Sequence, residues 1–169
     1  LHSANLLRID LRQSICNGAI FQEAQMRASR MDSAKLASAS LEKCWLSSST
    51  LTHTDLQGVR AKQALLLEVD LSFSTGRGAW FAAADLRKAK VMGCQLHEAN
   101  FDEANLAEAS LRTSDLRRSS FRNARMGRAD LTQAQLQQAN MEGADLFYAT
   151  LDEANLQEAC LRHVTLDDA

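Results

Sequence analysis

The side chains of this sequence best suited to metal binding or nucleophilic catalysis are its four cysteines and four histidines. They are Cys16, Cys44, Cys94, Cys160, His2, His53, His97 and His163. The cysteines stand alone, with no CxxC pair, so they predict neither a paired-cysteine metal site nor a disulfide framework. We expect these thiols to be reduced, which favours a location in the cytoplasm or in the cytosol of a host cell.

A run of arginines is the strongest electrostatic feature. Six fall between residues 112 and 128: Arg112, Arg117, Arg118, Arg122, Arg125 and Arg128. Guanidinium groups gathered in this way are suited to bind phosphates or an acidic partner. Acidic residues precede and follow the run, several of them 20 residues from an arginine, and the formal net charge is −2. We therefore interpret the run as a band in a ladder of alternating charge and predict no specific binding of nucleic acid.

A strict period of five residues runs through the whole chain and decides where these side chains point. Residues 1, 6, 11 and every fifth position to 166 are Leu, Phe, Met or Val, except Cys16, Ala61 and Gly76. The residue two before each of these centres is small or β-branched, as in HEANFDEANLAEASL at residues 97–111. Neither a helix nor a plain strand builds one face from a period of five. The pattern predicts a square coil, with one pentapeptide on each side and the centre and small residue pointing inward.

Four sides close one coil of 20 residues, and the phenylalanines support this longer period. Phe21, Phe81, Phe101 and Phe121 occupy centres, and all four fall on the same one of the four faces. Charges 20 residues apart also alternate in sign, in the series Glu68, Lys88, Glu108, Arg128 and in the series Asp102, Arg122, Glu142, Arg162. Stacked strands lie about 4.8 Å apart, so opposite charges in each series stabilise neighbouring coils.

Segments such as ADLRKA, ANFDEANLAEASL and ADLTQAQLQQANMEGADL resemble the pentapeptide-repeat family, whose consensus is A-(D/N)-L-x-x. The resemblance covers all 169 residues, although the first half is more degenerate. It implies an all-β fold, a right-handed quadrilateral β-helix (solenoid) of about 8 coils of 20 residues. We expect residues 1–169 to form a single pentapeptide-repeat domain. Because no capping segment covers the strand edges, we also expect the domain to come from a longer chain that carries the caps.

The square coil separates the side chains that catalysis would require. The four histidines point outward on three different faces, and the two that share a face are eight coils apart. The carboxylates lie in solvated columns beside arginines. We therefore predict no catalytic, cofactor-binding or metal-binding residues and no enzymatic activity for this domain.

The irregular fourth coil, residues 61–80, is the leading candidate for a binding surface. It holds two of the defective centres, Ala61 and Gly76. Large apolar residues occupy outward positions in or beside it, namely Trp45, Leu65, Leu67, Phe73 and Trp80. Such clustering indicates a partner surface. The alternative is that Phe73 folds inward to fill the void at Gly76 while the others pack against another domain. Phe147 and Tyr148 form a smaller pair of the same type.

These features favour a non-catalytic scaffold for protein–protein interaction. The resemblance implies a bacterial module, of a secreted effector or secretion-associated protein, that binds another protein or another domain of the parent chain. The alternative is a DNA mimic that inhibits or protects DNA gyrase or topoisomerase IV, as some family members do through a strongly acidic surface. A net charge of −2 and the arginine run disfavour that alternative. A third hypothesis puts an enzyme elsewhere in the parent chain. No apolar run is long enough for membrane insertion.

Overall fold

The computed structural model describes residues 1–167, and its backbone repeats one five-residue pattern throughout. Within this range there is no helix and no strand longer than a single bridging residue. Every fifth residue, from Asn5 to Asp145, instead forms a parallel bridge with the residue 20 positions later. The chain is therefore an all-β, right-handed quadrilateral β-helix with four pentapeptide sides to each coil, as the sequence predicted.

Each side bonds to both neighbouring coils through its backbone. The N–H groups of the centre and of the residue two after it donate to the following coil. Leu6 thus donates to the Gln25 carbonyl at 2.8 Å, and Arg8 to the Arg27 carbonyl at 3.0 Å. The N–H of the bridging residue donates to the preceding coil, as Gln25 does to the Ala4 carbonyl at 2.9 Å. This demand for donors disfavours proline at the positions that donate, and the sequence contains none.

The consensus Asp or Asn has a defined role in this backbone. The N–H of the residue after each centre does not enter the ladder, and a side-chain oxygen two residues earlier accepts it in many sides. Asp55 accepts the N–H of Gln57 at 3.0 Å, and Asn100 accepts that of Asp102 at 2.9 Å. A short polar side chain just before the centre therefore satisfies a donor that the ladder leaves free.

Every corner is a β-turn with a left-handed residue at its third position. In the first corner the Ala4 N–H donates to the Leu1 carbonyl at 3.2 Å, and Ser3 has a φ of 53°. All corner residues from Ser3 to His163 have φ between 53° and 70°. A positive φ at this position is typical of type II turns and favours glycine. Most corners here carry other residue types, so the ladder must offset their backbone strain.

The inward positions form one continuous core. The centres from Phe21 to Leu146 are buried, and so are the small inward residues from Ala24 to Ala149, each of which lies two before a centre. Phe81, Phe101 and Phe121 stack along the axis with successive ring centroids 5.2 and 5.0 Å apart. Burial of each large centre contributes roughly 1.5–3 kcal/mol.

The void at Gly76 is filled from the next coil and not by Phe73. A Cβ built on Gly76 would lie 2.7 Å from Leu96 Cδ2, so the Leu96 side chain already occupies that space. Phe73 stays outward, half exposed, and stacks on His53 with ring centroids 5.3 Å apart. The alternative in which Phe73 folds inward is therefore wrong. Its corner position, with φ of 63°, directs the side chain away from the core.

Candidate functional site

The four sides of the coil stack into four flat faces, and every outward residue belongs to one of them. We number the faces by their centres in the second coil: Phe21 for face 1, Met26 for face 2, Met31 for face 3 and Leu36 for face 4. Later centres of each face follow every 20 residues. On each side the outward positions are −1, +1 and +2 relative to the centre, and position +2 lies at the corner.

The predicted partner-binding residues are divided among three faces. Trp45, Leu65 and Leu67 lie together on face 2, Trp80 lies on face 1, and Phe73 lies at the corner that ends face 3. The five residues therefore do not form one patch. The reason is the register of the coil. Residues of one coil lie at the same height along the rod but on different faces, whereas residues 20 positions apart lie on the same face.

Trp45, Leu65 and Leu67 form an apolar group on face 2, here termed the proximal cluster. Trp45 and Leu65 are bridge partners in adjacent coils and are 41% and 39% exposed. Leu67 is half-buried on the same side as Leu65. The guanidinium of Arg27, one coil before Trp45, lies 5.8 Å from the centroid of the indole ring. Such a cation–π contact leaves an exposed apolar surface with a positive group at its edge.

A second aromatic group lies further along the same face. Phe147 and Tyr148 occupy positions +1 and +2 of face 2 and pack edge to face, with ring centroids 4.2 Å apart. The guanidinium of Arg128 lies 6.0 Å from the centroid of the Tyr148 ring. We term Phe147 and Tyr148 the distal cluster. Both clusters thus combine exposed apolar side chains with an arginine that contacts an aromatic ring.

The six arginines between residues 112 and 128 encircle the rod. Arg112 is on face 3, Arg117 and Arg118 are on face 4, Arg122 is on face 1, and Arg125 and Arg128 are on face 2. Three of them pair with acids: Arg112 with Asp130 at 3.0 Å, Arg117 with Asp115 at 2.7 Å, and Arg122 with Glu142 at 3.8 Å. Arg118 donates to Gln138 at 2.8 Å. The run is therefore a partly neutralised belt across four faces.

An ion pair that the sequence analysis did not predict recurs within single pentapeptide sides. Where a side reads Asp-Leu-Arg, as at residues 10–12, 85–87 and 115–117, the arginine folds back onto the aspartate two residues earlier. Arg87 donates Nε to one oxygen of Asp85 at 2.8 Å and Nη2 to the other at 2.7 Å. The Asp-Leu-Arg triplet was the signal that could have revealed these pairs, because positions −1 and +1 project from the same face.

These pairs change the protonation of the aspartates. The side-chain hydrogen bond from Arg12 lowers the pKa of Asp10 from 3.8 to about 2. The corresponding bonds from Arg87 and Arg117 lower the pKa values of Asp85 and Asp115. The carboxylates are held in their charged form, which suits structural pairing and not proton transfer at neutral pH.

The surface of face 4 carries a shallow depression. Its walls are polar, formed by His97, Glu98, Arg117, Arg118, Gln137 and Gln138. Asp115 and Gln138 already engage its two arginines, and Glu98 pairs with Arg77 at 3.0 Å. Over residues 1–167, no three His, Cys, Asp or Glu side chains gather as metal ligands. The same residues contain no helix with the length and apolarity to cross a bilayer.

Charge is nearly balanced on every face of the described rod, with a net excess of two charges at most. Arg and Lys residues number 5, 6, 4 and 4 on faces 1 to 4, against 5, 5, 6 and 4 Asp and Glu residues. Face 2 is the one described face with a formal excess of positive charge, and face 3 has the largest acidic excess, of two charges. No described face is strongly acidic.

The chain belongs to the pentapeptide-repeat family. It matches the family described as pentapeptide repeat region over residues 84–169, and the one described as pentapeptide repeats (8 copies) over residues 4–42 and 29–66. No curated protein matches its sequence.

Several solved structures are similar to this fold, including the following two. One is HetL, a pentapeptide repeat protein involved in heterocyst differentiation regulation from the cyanobacterium Nostoc sp. strain PCC 7120. It has a TM-score of 0.68 and 26% identity, and the match covers 100% of this chain and 87% of HetL. The other is trypsin-treated QnrB1, a plasmid-mediated fluoroquinolone resistance protein. Its TM-score is 0.54 at 15% identity, over 98% of this chain and 83% of QnrB1, so this likeness concerns the fold alone.

Proposed function

We propose that this chain is a non-catalytic scaffold that binds another protein through face 2. The observation that carries the proposal is the proximal cluster, in which Trp45 and Leu65 are about two-fifths exposed on adjacent coils. The core does not require large apolar side chains at these positions, since polar residues occupy them elsewhere on the face, as Asn105 does. Tryptophan is among the residue types most enriched at binding hot spots.

The architecture supports a scaffold role. Each coil contacts only its neighbours, so outward residues vary freely without disturbing the core. HetL, at 26% identity, is described as involved in regulation, which is compatible with binding and does not require catalysis. We further propose that the partner is another protein or another domain of the parent chain, in the setting of a bacterial secretion effector or secretion-associated protein.

The charge distribution disfavours the alternative of a DNA mimic acting on gyrase or topoisomerase IV. A mimic of duplex DNA needs a continuous negative surface, because phosphates repeat about every 1.7 Å along the duplex axis. The most acidic described face has an excess of only two negative charges, and arginines interrupt its acids. The similarity to QnrB1, at 15% identity, concerns the fold and does not by itself favour this alternative.

The scaffold proposal is tested by removing the proximal cluster. The partner is first identified by cross-linking and then purified. Trp45→Ala with Leu67→Ser should weaken its binding by about 2 kcal/mol or more, which is roughly thirtyfold in Kd. The melting temperature should change little because both side chains are outward. Trp80→Ala is the matched control, since Trp80 is 49% exposed but lies on face 1.

Two results would contradict the scaffold proposal. One is equal partner affinity for the double variant and the wild type. The other is loss of partner binding in the Trp80→Ala control at the same level as in the double variant.

A further inference from the structure

The proximal and distal clusters lie in one line along face 2. Leu67 and Phe147 both occupy position +1 of this face, four coils apart, which corresponds to about 19 Å along the rod. The residues between them in the same column are Arg87, Ala107 and Gly127. Two of these three are the smallest side chains available, so this column is low between Arg87 and Phe147, with Glu108 and Arg128 in the column beside it.

The low stretch accepts a larger side chain without damage to the fold. A Cβ built on Gly127 would meet only the Phe147 carbonyl oxygen, at 3.5 Å, which is ordinary contact. Gly127 is not among the residues of positive φ, so its backbone does not require glycine. Ala107 is half-buried and its N–H is accepted by Asn105 at 3.2 Å. The small residues at this position therefore leave room above the face and are not demanded by the coil.

Each cluster carries one arginine against an aromatic ring, together with an acid nearby on the same face, Glu68 beside Leu67 and Asp145 beside Phe147. Arg27 contacts the Trp45 ring and Arg128 contacts the Tyr148 ring, and these are the two arginine–aromatic contacts of the described residues. Neither arginine has a carboxylate within salt-bridge distance among the described residues, unlike Arg87, which pairs with Asp85 at 2.7 Å. Each cluster therefore presents an apolar surface beside a guanidinium that a partner carboxylate can reach.

The backbone of face 2 offers few free N–H groups to which an extended partner strand could bind. Its centre, corner and bridging N–H groups donate within the ladder, and the N–H of Phe147, for example, is accepted by Asp145 at 3.1 Å. Strand addition requires free main-chain groups at a sheet edge, and the flank of a solenoid lacks them. A helix satisfies its own backbone and binds through side chains, so it suits this surface better.

We propose that face 2 is one docking surface for an acidic amphipathic helix, anchored at the proximal and distal clusters and seated over Ala107 and Gly127. This inference rests on the proposed scaffold function and names the chemistry of its partner. Side chains two heptads apart lie on one face of a helix at about 21 Å, close to the separation of the clusters. Carboxylates of the helix then face Arg27 and Arg128.

The test uses a synthetic helical peptide of roughly 20 residues, with leucines about two heptads apart, alanines between them on the same face, and glutamates flanking that face. Titration into isotope-labelled protein should shift the amide signals of Leu67, Ala107, Gly127 and Phe147 together. The same peptide with lysine in place of glutamate should bind more weakly. Shifts confined to another face, or equal binding of the lysine peptide, would overturn the inference.

A blocking variant gives a second readout with a matched control. Ala107→Glu should weaken binding of the acidic peptide by about tenfold or more, because it adds bulk and like charge at the seat. Ala82→Glu places the same change at position +1 of face 1, at a residue that is equally half-buried, and should leave binding unchanged. Equal effects of the two variants would exclude docking of the helix over Ala107 and Gly127.

Two further outcomes distinguish helix docking from the broader scaffold function and from nucleic-acid binding. If Trp45→Ala with Leu67→Ser abolishes partner capture but Ala107→Glu does not, the scaffold function stands and the helix seat is wrong. If a thymidine oligonucleotide perturbs face 2 more strongly than the acidic peptide at physiological salt, the surface binds nucleic acid and the inference is overturned.

Discussion

At the scale of single residues, the small inward position before each centre does more than fill a corner. Where it carries a hydroxyl or thiol, the side chain usually donates to a carbonyl of the preceding coil, as Ser49 does to Met26, whereas Ser14 and Ser119 donate to the carbonyl three residues earlier. Cys44 Sγ donates to the Phe21 carbonyl at 2.6 Å, and Cys94 Sγ to the Leu71 carbonyl at 3.0 Å. Burial raises the pKa of both thiols to about 12. These cysteines are therefore structural groups that are held neutral.

Thiol reactivity should separate the cysteines by position. Cys44 and Cys94 should resist a thiol reagent such as DTNB at pH 8, because their thiolate fraction and their access are both very small. Cys160 occupies the outward position −1 and should react readily, which makes it the internal control. Mass spectrometry of the labelled protein, before and after unfolding in guanidinium, identifies each site. Fast labelling of Cys44 in the folded protein would contradict the inward assignment.

At the scale of the pentapeptide side, the aspartate before each centre has two different uses. Asp55 only accepts the N–H of Gln57, whereas Asp85 also binds the Arg87 guanidinium. The paired form depends on pH. A carboxylate whose folded-state pKa is lowered contributes stability that is present above the unfolded-state pKa and lost as the pH falls through the folded-state value. For Asp10 this window runs from about pH 4 to about pH 2.

Removal of two such pairs should reduce the acid dependence of stability. Asp85→Asn with Asp115→Asn should lower stability at pH 7 by about 0.2–1 kcal/mol per pair, since the arginines are half exposed. The difference in melting temperature from the wild type should shrink as the pH falls below the ordinary aspartate pKa of about 4, because the wild type itself then loses the pairs. Asp55→Asn, at a side without an arginine, is the control for loss of a carboxylate alone. A difference that grows on acidification would reverse the sign and refute the argument.

The limits of sequence reasoning also lie at this scale. The period of five determined the inward set, so the burial of Phe101 and Ala104 followed directly from counting. The outward side chains follow no such constraint, because their rotamers are chosen by neighbours one coil away. That is why the contact of Arg27 with Trp45 appears only in the structure, whereas the fold-back of Arg87 onto Asp85 could have been inferred from its Asp-Leu-Arg triplet. The 20-residue register already places Phe73 and Trp80 on other faces than the proximal cluster. The sequence prediction grouped them because they lie in the same coil, and residues of one coil can lie on opposite sides of the rod.

At the scale of the whole molecule, charge is distributed evenly around the rod. The arginine belt crosses all four faces, and pairs such as Arg112 with Asp130 at 3.0 Å neutralise it locally. Such a surface has no extended field of either sign, because a Debye length of about 8 Å at physiological salt screens what remains.

The rod should therefore bind duplex DNA weakly and without sequence preference. Fluorescence anisotropy with a short duplex should give no sub-micromolar complex at physiological salt, and residual binding at low salt should fall steeply as salt is added. A DNA gyrase supercoiling assay should show no inhibition at comparable concentrations. A tight complex that is lost in the Arg117→Ala, Arg118→Ala double variant would overturn this account of the belt.

The direction of the backbone hydrogen bonds has a consequence for assembly. On each side two N–H groups, such as those of Leu6 and Arg8, point toward the following coil, and one, such as that of Gln25, points back. A cut across the rod at any height would thus expose two unlike surfaces, one rich in amide hydrogens and the other in carbonyl oxygens. The peptide dipoles do not cancel, and the rod has a head and a tail in the sense of a polar filament. Two such rods can continue each other's hydrogen bonding end to end only when they point the same way.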